Sequence, residues 1–530
     1  MLLDTTPPLT PFDQHVYQIL VPPNHYLRLV ETHIDFEAFR PSLNTFYSPI
    51  GRPSIDPVRM IKILFLAYHY RLSDRAVIAR LQTDVAFRWF LRLPLDSSLP
   101  HHTDSTYFRE RLGDDGLTTI FQALITQARN AGLIRDRLRL KDATHVHAKV
   151  ADIRPLELAA QVRDRVLLAA EPYDAEWVQS QRNLMESVRA ATEEAPAEER
   201  LASRVEFLRT MTQSLRERLA AVLATPAEEG DKARQRLDKV LKLVEKFLKD
   251  RDQPEGDYVF SAVDEEARVG KHGDFFVGYL LDVAIDPESE LVTAINVLPG
   301  NGAEAADTAV LIRQEETAQG NDVAEVSIDG IGYNGPVLRE LSDPTGLNLV
   351  VTVPPRQTPE RTTFGPERFT LRVLEDQTRE LQCPNGQTTR RHRRNGANTG
   401  DRFTFADGAC AGCPLRSECL ENPSSARGRS VDKNDYAAEY ARVEERAKTE
   451  SYRATRREHG KVERKLGELV QHHGAREARY RLTWKVRVQM LLTGLVVNVK
   501  RMVKLLESRV RELGAAELAA GVRAEVMTTG

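Results

Sequence analysis

The sequence predicts an α/β protein whose core is a mixed sheet flanked by helices. An N-terminal all-α domain, a helical insert and a loop-rich cysteine insert are added to this core. Three observations predict the class. Apolar residues recur at helical spacing over about residues 45–125 and again over 155–250. Strand-like and helical segments alternate over residues 258–355. All four cysteines lie within residues 383–419, where periodicity is weak.

Length and composition bound the function classes. The chain has 530 residues, of which 28% are charged and 41% hydrophobic, as is typical of a globular protein of two to four domains. The net charge is −3, so local basic patches would have to hold any nucleic acid. The start MLLDTTPPLT is unlike a signal peptide, and the longest apolar run, residues 490–499, is too short to span a bilayer. We therefore expect a cytoplasmic protein without a membrane partner.

The stretch LRLKDATHVHA, residues 138–148, predicts the first strand of the core. Apolar and polar residues alternate along it, which is typical of a half-buried strand. The apolar face also carries Asp142, and a buried carboxylate is costly unless a cation or several hydrogen bonds meet it. Asp142 is therefore a candidate ligand of a cation.

Two further acids are candidates for the same site. Asp329 stands where a short strand runs into the glycine-rich GIGY, which exposes its side chain at the end of the sheet. Glu463 lies in the helical pattern HGKVERKLGEL, which would pack beside this edge. Glu458 and Glu468 compete with Glu463 as the third acid. Glu458 lies about 140° around the helix from Glu463, so at most one of these two can face the site.

Converging carboxylates repel one another unless divalent cations neutralise them. Oxygen ligands suit Mg²⁺ or Mn²⁺. Two such ions about 4 Å apart can activate a water or a 3′-hydroxyl and stabilise the leaving oxygen of a phosphodiester. Each acid alone is more readily explained by a capped turn or an arginine partner. The three together, in this order of elements, favour a two-ion site.

The cysteines predict a second, structural metal site. Cys410, Cys413 and Cys419 form C-x2-C-x5-C, and Cys383 precedes them. The x2 pair has the chelate spacing of tetrahedral zinc, so a Zn²⁺ ion with four thiolate ligands is the first interpretation. An iron–sulfur cluster is the second, and four reduced thiols without metal are the third. His392 is a weaker ligand candidate.

Several segments resemble the DDE transposases of bacterial insertion sequences. In chain order they are GRPSIDPVRMIKILFLAYHYRLSDRAVIARLQTDVAFRWFLRL, KDATHVHA, DEEARVGKHGDFFVGYLLDVAID, VLPGNGAEAADTAVLI, SIDGIGYNG and KVERKLGEL. CPNG and CAGCPLRSEC resemble the cysteine-bearing insert of this family. The likeness spans most of residues 45–505 and covers 155–250 least. Each motif is weak by itself, and their shared order carries the resemblance.

The resemblance implies a ribonuclease-H-like core with a catalytic DDE triad of Asp142, Asp329 and Glu463 that holds two Mg²⁺ or Mn²⁺ ions. It implies metal-dependent cleavage of DNA at terminal inverted repeats, then attack of the freed 3′-hydroxyl on target DNA. The partners would be double-stranded DNA and a second copy of the chain, since a synapse of two ends implies a homodimer. Bound to DNA, the protein would be associated with the nucleoid.

Pattern and resemblance together divide the chain into seven segments. These are 1–125 (N-terminal helical DNA-binding domain), 135–153 (first core strand), 154–255 (helical insert), 256–355 (ribonuclease-H-like core), 356–450 (cysteine insert), 451–510 (basic helices completing the core) and 511–530 (tail). The short capped helices of the first segment suit a helix-turn-helix module and a plain helical bundle equally well.

The segment around Glu463 departs from the family. Related transposases carry a Tyr and an Arg before the Glu and a Lys after it, where this chain has Arg456, His459 and Val470. Residues 453–504 nevertheless hold 14 Lys and Arg against four Glu, so attraction to phosphates is expected. The residues predicted to bind DNA are Arg456, Arg457, Lys461, Arg464 and Lys465.

Two other functions compete with an active transposase. One is a catalytically inactive or domesticated transposase-derived protein that only binds DNA, which the incomplete motif around Glu463 favours. The other is a general nuclease with the same core, which would need neither the N-terminal helices nor the inserts. The presence of all three acids favours the enzyme.

Overall fold

The structure, a computed structural model, describes residues 9–48, 54–151, 154–228, 230–253, 257–356 and 362–528. The Gly-Arg-Pro start of the first resembling segment, residues 51–53, lies outside the described residues. Within the described part of the chain, no helix is both long and apolar enough to cross a membrane.

The N-terminal region is all helical. Its α-helices are Pro11–Leu20 (α1), Tyr26–His33 (α2), Pro57–His69 (α3), Asp74–Thr83 (α4), Val85–Phe90 (α5) and His102–Asn130 (α6). Helix α3 begins as the sequence predicts, because the side chain of Asp56 accepts a hydrogen bond from the Val58 N–H and Pro57 occupies the first position. The buried side chains of α2–α6 belong to the same hydrophobic cluster as one face of the central sheet. The N-terminal helices therefore pack onto that sheet.

A bundle of helices follows the first strand of the sheet, Arg139–His147 (β1). The helices are Pro155–Ala170 (α7), Ala175–Ala191 (α8), Ala197–Arg218 (α9), Ala220–Leu223 (α10) and Lys232–Asp252 (α11). The sequence pattern indicates one long hairpin here. The structure has several helices instead, because apolar side chains of α7, α8, α9 and α11 pack into a core separate from that of the sheet.

The central sheet has six strands and is mixed, as the sequence predicts. After β1 its strands are Arg268–His272 (β2), Asp274–Ile285 (β3), Val292–Pro299 (β4), Glu325–Ser327 (β5) and Val350–Thr352 (β6). The strand order is β2-β3-β1-β5-β6, and β4 also pairs with β3. Strand β1 is antiparallel to β3 and parallel to β5, and β3 and β4 form the predicted antiparallel hairpin.

Helices Glu304–Gln319 (α12) and Gly335–Leu341 (α13) stand between strands β4 and β6. Helix α12 packs through Leu311 on Ala284 and Ala294, on the sheet face away from α6. Both helices contribute to the cluster that surrounds β5 and β6. This alternation of strand and helix over residues 258–355 is the pattern that predicts the α/β class.

The cysteine region forms two three-stranded sheets. Their strands are Thr370–Val373 (β7), Arg379–Gln382 (β8), Thr388–Thr389 (β9), His392–Arg394 (β10), Gly400–Thr404 (β11) and Ser430–Asn434 (β12). Two short helices, Asp407–Cys410 (α14) and Arg416–Cys419 (α15), separate β11 from β12. The sequence predicts a loop-rich segment without a core, whereas the structure has a small apolar cluster there. The cluster comprises Phe369, Leu381, Phe403, Phe405 and Val431. The strands are too short for their periodicity to show in the sequence.

Three helices complete the described chain: Ala437–Ala447 (α16), Glu450–His473 (α17) and Thr483–Thr528 (α18). Helix α17 ends at Gly474, which adopts the left-handed conformation with φ 70° that glycine favours. Buried residues of α17 and α18 join the cluster that contains β1, β3, β4 and α6. The sheet is therefore covered by α12 on one face and by α6, α17 and α18 on the other.

Candidate metal and nucleic-acid site

The carboxylate of Asp142 lies beside the point where the neighbouring strand ends. Strand β5 pairs with β1 at Arg139 and Leu140 only. On the β5 side, the edge of β1 therefore has no strand partner from Asp142 until His147, whose backbone pairs with residues 476–478. Asp142 is half-buried, and its Oδ1 accepts a hydrogen bond of 2.9 Å from the backbone N–H of Ala143.

Asp329 reaches the same place from the end of β5. Its side chain accepts a hydrogen bond of 3.3 Å from the Ile331 N–H, which starts the short 3-10 turn Gly330–Gly332. This turn carries the chain out of the sheet directly after the strand. Because β1 and β5 are parallel, the acid that follows β5 lies level with the open edge of β1.

A third carboxylate, absent from the sequence prediction, comes from Glu304 at the start of α12. One carboxylate oxygen from each of Asp142, Glu304 and Asp329 lies within 4.8 Å of the other two. All three side chains are half-buried. Oxygen ligands this close together could hold one hard divalent cation. The structure thus brings two of the three predicted acids together and adds one.

The local field of this acidic cluster favours a cation. Burial raises the pKa of the Asp142 carboxyl to about 7, and the neighbouring charges of Asp329 and Glu304 add to the rise. A bound cation would remove both sources of repulsion and release the proton. Without a cation, the negative charges of these acids therefore destabilise the folded protein. The same environment makes the site suited to metal binding.

Lys141 fixes Glu304 from the other face of β1. Its Nζ donates to the Glu304 carbonyl oxygen at 3.0 Å and lies 3.6 Å from Glu304 Oε1. The same Nζ lies 3.1 Å from Asp282 Oδ2. Lys141 is completely buried, and the sequence alternation that places it on a solvent-facing side is misleading, because α12 covers that face.

Glu463 lies on helix α17, outside the group of three acids. It is exposed and makes no ion pair or side-chain hydrogen bond with another described residue. It is seven residues, two helical turns, beyond Arg456 and therefore on the same side of the helix. Burial lowers the pKa of Arg456, and the charges of Asp329, Glu463 and Asp142 oppose that effect. The Arg456 guanidinium is thus an electrostatic neighbour of all three predicted acids.

The two competing acids on this helix are already paired. Glu458 Oε1 lies 3.0 Å from Arg137 Nη2, and its other oxygen lies 3.3 Å from Lys461 Nζ. Glu468 Oε2 lies 2.7 Å from Lys465 Nζ. Their negative charges are neutralised by neighbouring cations, which distinguishes both from Glu463.

Arg456 and His459 both contact the end of β5. Arg456 Nη1 donates to the Ile328 carbonyl oxygen at 2.8 Å, directly before Asp329. His459 is buried, with Nδ1 3.1 Å from Ser327 Oγ, and burial lowers its pKa to about 4. His459 is therefore neutral at pH 7. Val470, at the position of the lysine in related transposases, packs against the main core.

The five predicted DNA-binding residues differ in exposure. The side chains of Arg457 and Arg464 are 69% and 67% exposed. Lys465 is only 3% exposed, and Lys461 donates to the Pro287 carbonyl oxygen at 2.9 Å. Arg456 is held at the end of β5, as described above. Of the five, Arg457 and Arg464 are the most exposed, with Arg457 Nη2 3.0 Å from Glu450 Oε1 and Arg464 Nη2 3.7 Å from Glu290 Oε1.

The four cysteines surround one hollow in the cysteine region. Cys383, Cys410, Cys413 and Cys419 all line it, and all are partly buried free thiols. Burial raises the pKa of the Cys419 thiol, and the three other cysteines add to the rise. His392 is exposed on β10, stacks on Phe403 and does not line this hollow.

Two stretches of the chain match known protein families. Residues 15–111 match the family described as "Transposase domain (DUF772)", and residues 382–503 match the family described as "Transposase DDE domain". The chain is similar to the DDE transposases of insertion sequences. No curated protein and no solved structure gave a match.

The two matched stretches cover different parts of this transposase-like chain. The first spans α1–α5 and the start of α6, and the second contains the four cysteines, α17 and Glu463. Asp142, Glu304 and Asp329 lie outside both stretches, so their grouping rests on the geometry of the sheet. Divalent metal use is implied by similarity to DDE transposases, and the carboxylate group offers ligands for it.

One sequence signal could have found Glu304. It follows the Pro-Gly-Asn turn and starts the helical pattern EAADTAVLI. An acid in the first turn of a helix is common, because it interacts favourably with the helix dipole. An acid at this position therefore does not indicate a metal ligand by itself. The strand order, which places the start of α12 next to β1, is needed to recognise Glu304.

Proposed function

We propose that this chain is a DNA transposase that cuts the ends of an insertion sequence and joins them to target DNA. The reaction would be metal-dependent phosphodiester cleavage at terminal inverted repeats, followed by strand transfer. The observation that carries the proposal is the meeting of Asp142, Asp329 and Glu304 at one open sheet edge. Its mixed sheet, with helices on both faces, supports a ribonuclease-H-like core.

The acids would hold two Mg²⁺ or Mn²⁺ ions. Asp142, Asp329 and Glu304 would supply carboxylate ligands to them. Glu463, unpaired on the adjacent helix, would complete the set when DNA is bound. When bound, such ions activate the attacking water or 3′-hydroxyl and stabilise the leaving oxygen.

Side chains around the acids have distinct roles in this proposal. Lys141 is a positioning residue, since its Nζ holds the first residue of α12. Arg456 is also a positioning residue, because it ties α17 to the end of β5 beside Asp329. Arg457 and Arg464 extend into solvent from the same helix and would contact DNA phosphates. The N-terminal helices would bind the inverted repeats, and a homodimer would synapse two ends.

A second candidate is a transposase-derived protein that binds DNA without cutting it. The observation that favours it is the chemistry around Glu463. His459 is buried and neutral, and Val470 packs in the core, so neither can contact DNA as the Arg and Lys of related transposases do. This candidate retains the DNA contacts of the exposed arginines and lacks the metal-dependent step.

The deciding experiment uses the purified full chain and labelled DNA carrying the inverted repeats that flank its gene. We expect cleavage at the repeat ends with Mg²⁺ or Mn²⁺, and none in EDTA. Asp142→Ala should abolish cleavage and keep DNA binding in a mobility-shift assay. The matched control is Asp322→Asn, an exposed acid at the opposite end of β5.

Three outcomes separate the candidates. Equal cutting by the parent chain and Asp142→Ala would refute the role of Asp142. Binding of the repeats without cutting in either metal would favour the second candidate. Cutting without preference for the repeats would indicate a general nuclease.

A further inference from the structure

The cysteine hollow is chemically separate from the acidic cluster. Its four thiols come from two turns, which hold Cys383 and Cys413, and from the ends of α14 and α15, which are Cys410 and Cys419. Cys383 directly follows β8, whereas Cys410, Cys413 and Cys419 lie between β11 and β12. A group bound by all four thiols would tie the β7–β8–β9 sheet to the β10–β11–β12 sheet.

Tight turns of the backbone hold the thiols, as is common in metal sites. The Gly386 N–H donates to the Cys383 carbonyl oxygen at 2.9 Å, and Gly386 has a φ of 78°. The Cys413 N–H donates to the Cys410 carbonyl oxygen at 3.5 Å across Gly412, whose φ is 71°. Glycine adopts this left-handed conformation without strain, so both turns suit their sequences.

The spacing of the sulfur atoms argues against a single ion. A Zn²⁺ ion holds four sulfur ligands at about 2.3 Å in a tetrahedron, which places them about 3.8 Å from one another. Among the described residues, Asp142, Glu304 and Asp329 are the one set of three or more ligand atoms that lie within 4.8 Å of one another. No three of the four Sγ atoms are therefore that close, although all four line one hollow.

The lining of the hollow suits a metal–sulfur group, because it is almost entirely apolar apart from the thiols. Besides the thiols, the rings of Phe364, Phe369 and Phe405 line it. An apolar lining limits water access, which protects a sulfide-containing cluster and tunes its potential.

One buried donor beside the thiols has no acceptor. Arg429 lines the hollow, and its Nη2 donates to the Phe364 carbonyl oxygen at 3.0 Å. Its Nε–H is buried and makes no hydrogen bond with any described residue. An unpaired buried donor is costly. A sulfur atom of an anionic thiolate-bound centre would accept this hydrogen bond and be neutralised by the guanidinium.

We propose that Cys383, Cys410, Cys413 and Cys419 bind a [4Fe–4S] cluster that staples the two small sheets together. The cluster is structural and takes no part in DNA cleavage. The proposal does not depend on the transposase function, because sulfur spacing, the hollow and the Arg429 donor carry it.

The experiment measures metal directly on the full chain, purified without oxygen. We expect iron and acid-labile sulfide at about four each per chain, substoichiometric zinc and broad visible absorption that bleaches with dithionite. If the purified chain is empty, reconstitution with ferric iron, a thiol reductant that reduces half of it, and sulfide should give the same values. One zinc per chain without sulfide, before or after reconstitution, would overturn the cluster, as would failure to take up iron.

Variants test whether the iron is bound by the cysteines that line the hollow. Cys410→Ser combined with Cys413→Ser should remove iron and sulfide and lower the thermal midpoint of unfolding. The matched control Ser417→Ala, an exposed residue between the ligands, should keep both. Arg429→Met retains all four thiols, so it should keep the cluster and lower its reduction potential, because the neighbouring positive charge is lost. An unchanged iron content in the double variant would show that iron binds elsewhere and overturn the assignment.

Discussion

The two faces of strand β1 carry charge in opposite ways. On the face towards α12, Arg139 is completely buried and its Nη2 lies 2.6 Å from Glu315 Oε1, also completely buried. On the face towards α17, Asp142 is half-buried beside two further acids, without a neighbouring cation bonded to it. The Arg139–Glu315 pair minimises the electrostatic cost of burying its two charges, whereas Asp142 retains that cost. The difference favours a ligand-binding role over a stabilising one for the cluster around Asp142.

The largest expected effect is the loss of DNA cleavage when Asp142 is changed. Asp142→Asn keeps the shape of the side chain and removes its charge, so cleavage should fall on the order of 10³-fold. Thermal stability in EDTA at pH 8 should stay equal or rise, because burial and the neighbouring acids penalise the charged form of Asp142. Cleavage rates and unfolding midpoints of the same preparation test both halves. A large loss of stability would mean that Asp142 holds the fold together and would break the contrast.

The second largest expected effect is a loss of stability when the buried Arg139–Glu315 ion pair is broken. Glu315→Gln removes the shortest ion pair of the buried Arg139 guanidinium and leaves the longer contacts to Asp286 and Asp136, so the free energy of unfolding should fall by about 3 kcal/mol. Replacing both partners, with Arg139→Met and Glu315→Leu, should recover part of that loss, since neither charge of this pair then remains buried. Urea denaturation measures all three variants. A double variant as unstable as the single one would show that the pair contributes more than mutual neutralisation.

A smaller effect should separate Glu304 from Glu463. In the free protein Glu304 belongs to the acidic cluster and Glu463 does not. Glu304→Gln should therefore weaken Mn²⁺ binding to the free protein by about 10–100-fold. Glu463→Gln should leave that binding nearly unchanged and slow cleavage once DNA is present. Titration calorimetry and cleavage assays distinguish the two.

The control for this pair is Glu458→Gln on the same helix. Glu458 is partly exposed and paired with Arg137, so its loss should cost at most about 1 kcal/mol and leave both assays unchanged. Equal loss of Mn²⁺ affinity in Glu304→Gln and Glu463→Gln would place Glu463 in the ion site of the free protein.

The sequence predicts the parts of this arrangement that local patterns control. The β3–β4 hairpin, the Asp56 cap and the position of Asp329 at a strand end all follow from spacing and turn residues. The local pattern at Glu304 does not by itself reveal a ligand, because its place beside Asp142 depends on strand order and on the packing of α12. The burial of Arg139 and Lys141 escapes prediction for the same reason. A period of two separates the faces of a strand but does not reveal that helices cover both.

The interior also avoids unpaired charge by keeping histidines neutral. His69 on α3 and His473 on α17 pack near Lys500 on α18, and His473 Nε2 lies 3.1 Å from Lys500 Nζ. Burial lowers the pKa of each histidine to about 4, and the Lys500 charge lowers it further. In the unfolded chain both would titrate near the ordinary value of about 6.5.

These histidines make a pH prediction with a definite sign. Between pH 6.5 and about 4 the unfolded state binds more protons at these two positions than the folded state does. Stability should therefore fall as pH falls through this window, by about 1.4 kcal/mol for each unit of pKa difference at full effect. His473→Asn cannot be protonated, so its unfolding midpoint should decline less than that of the parent chain between pH 7 and 5. Identical slopes would mean that His473 titrates normally and that the interior tolerates its charge. The acidic cluster would then lose its contrast with the rest of the molecule.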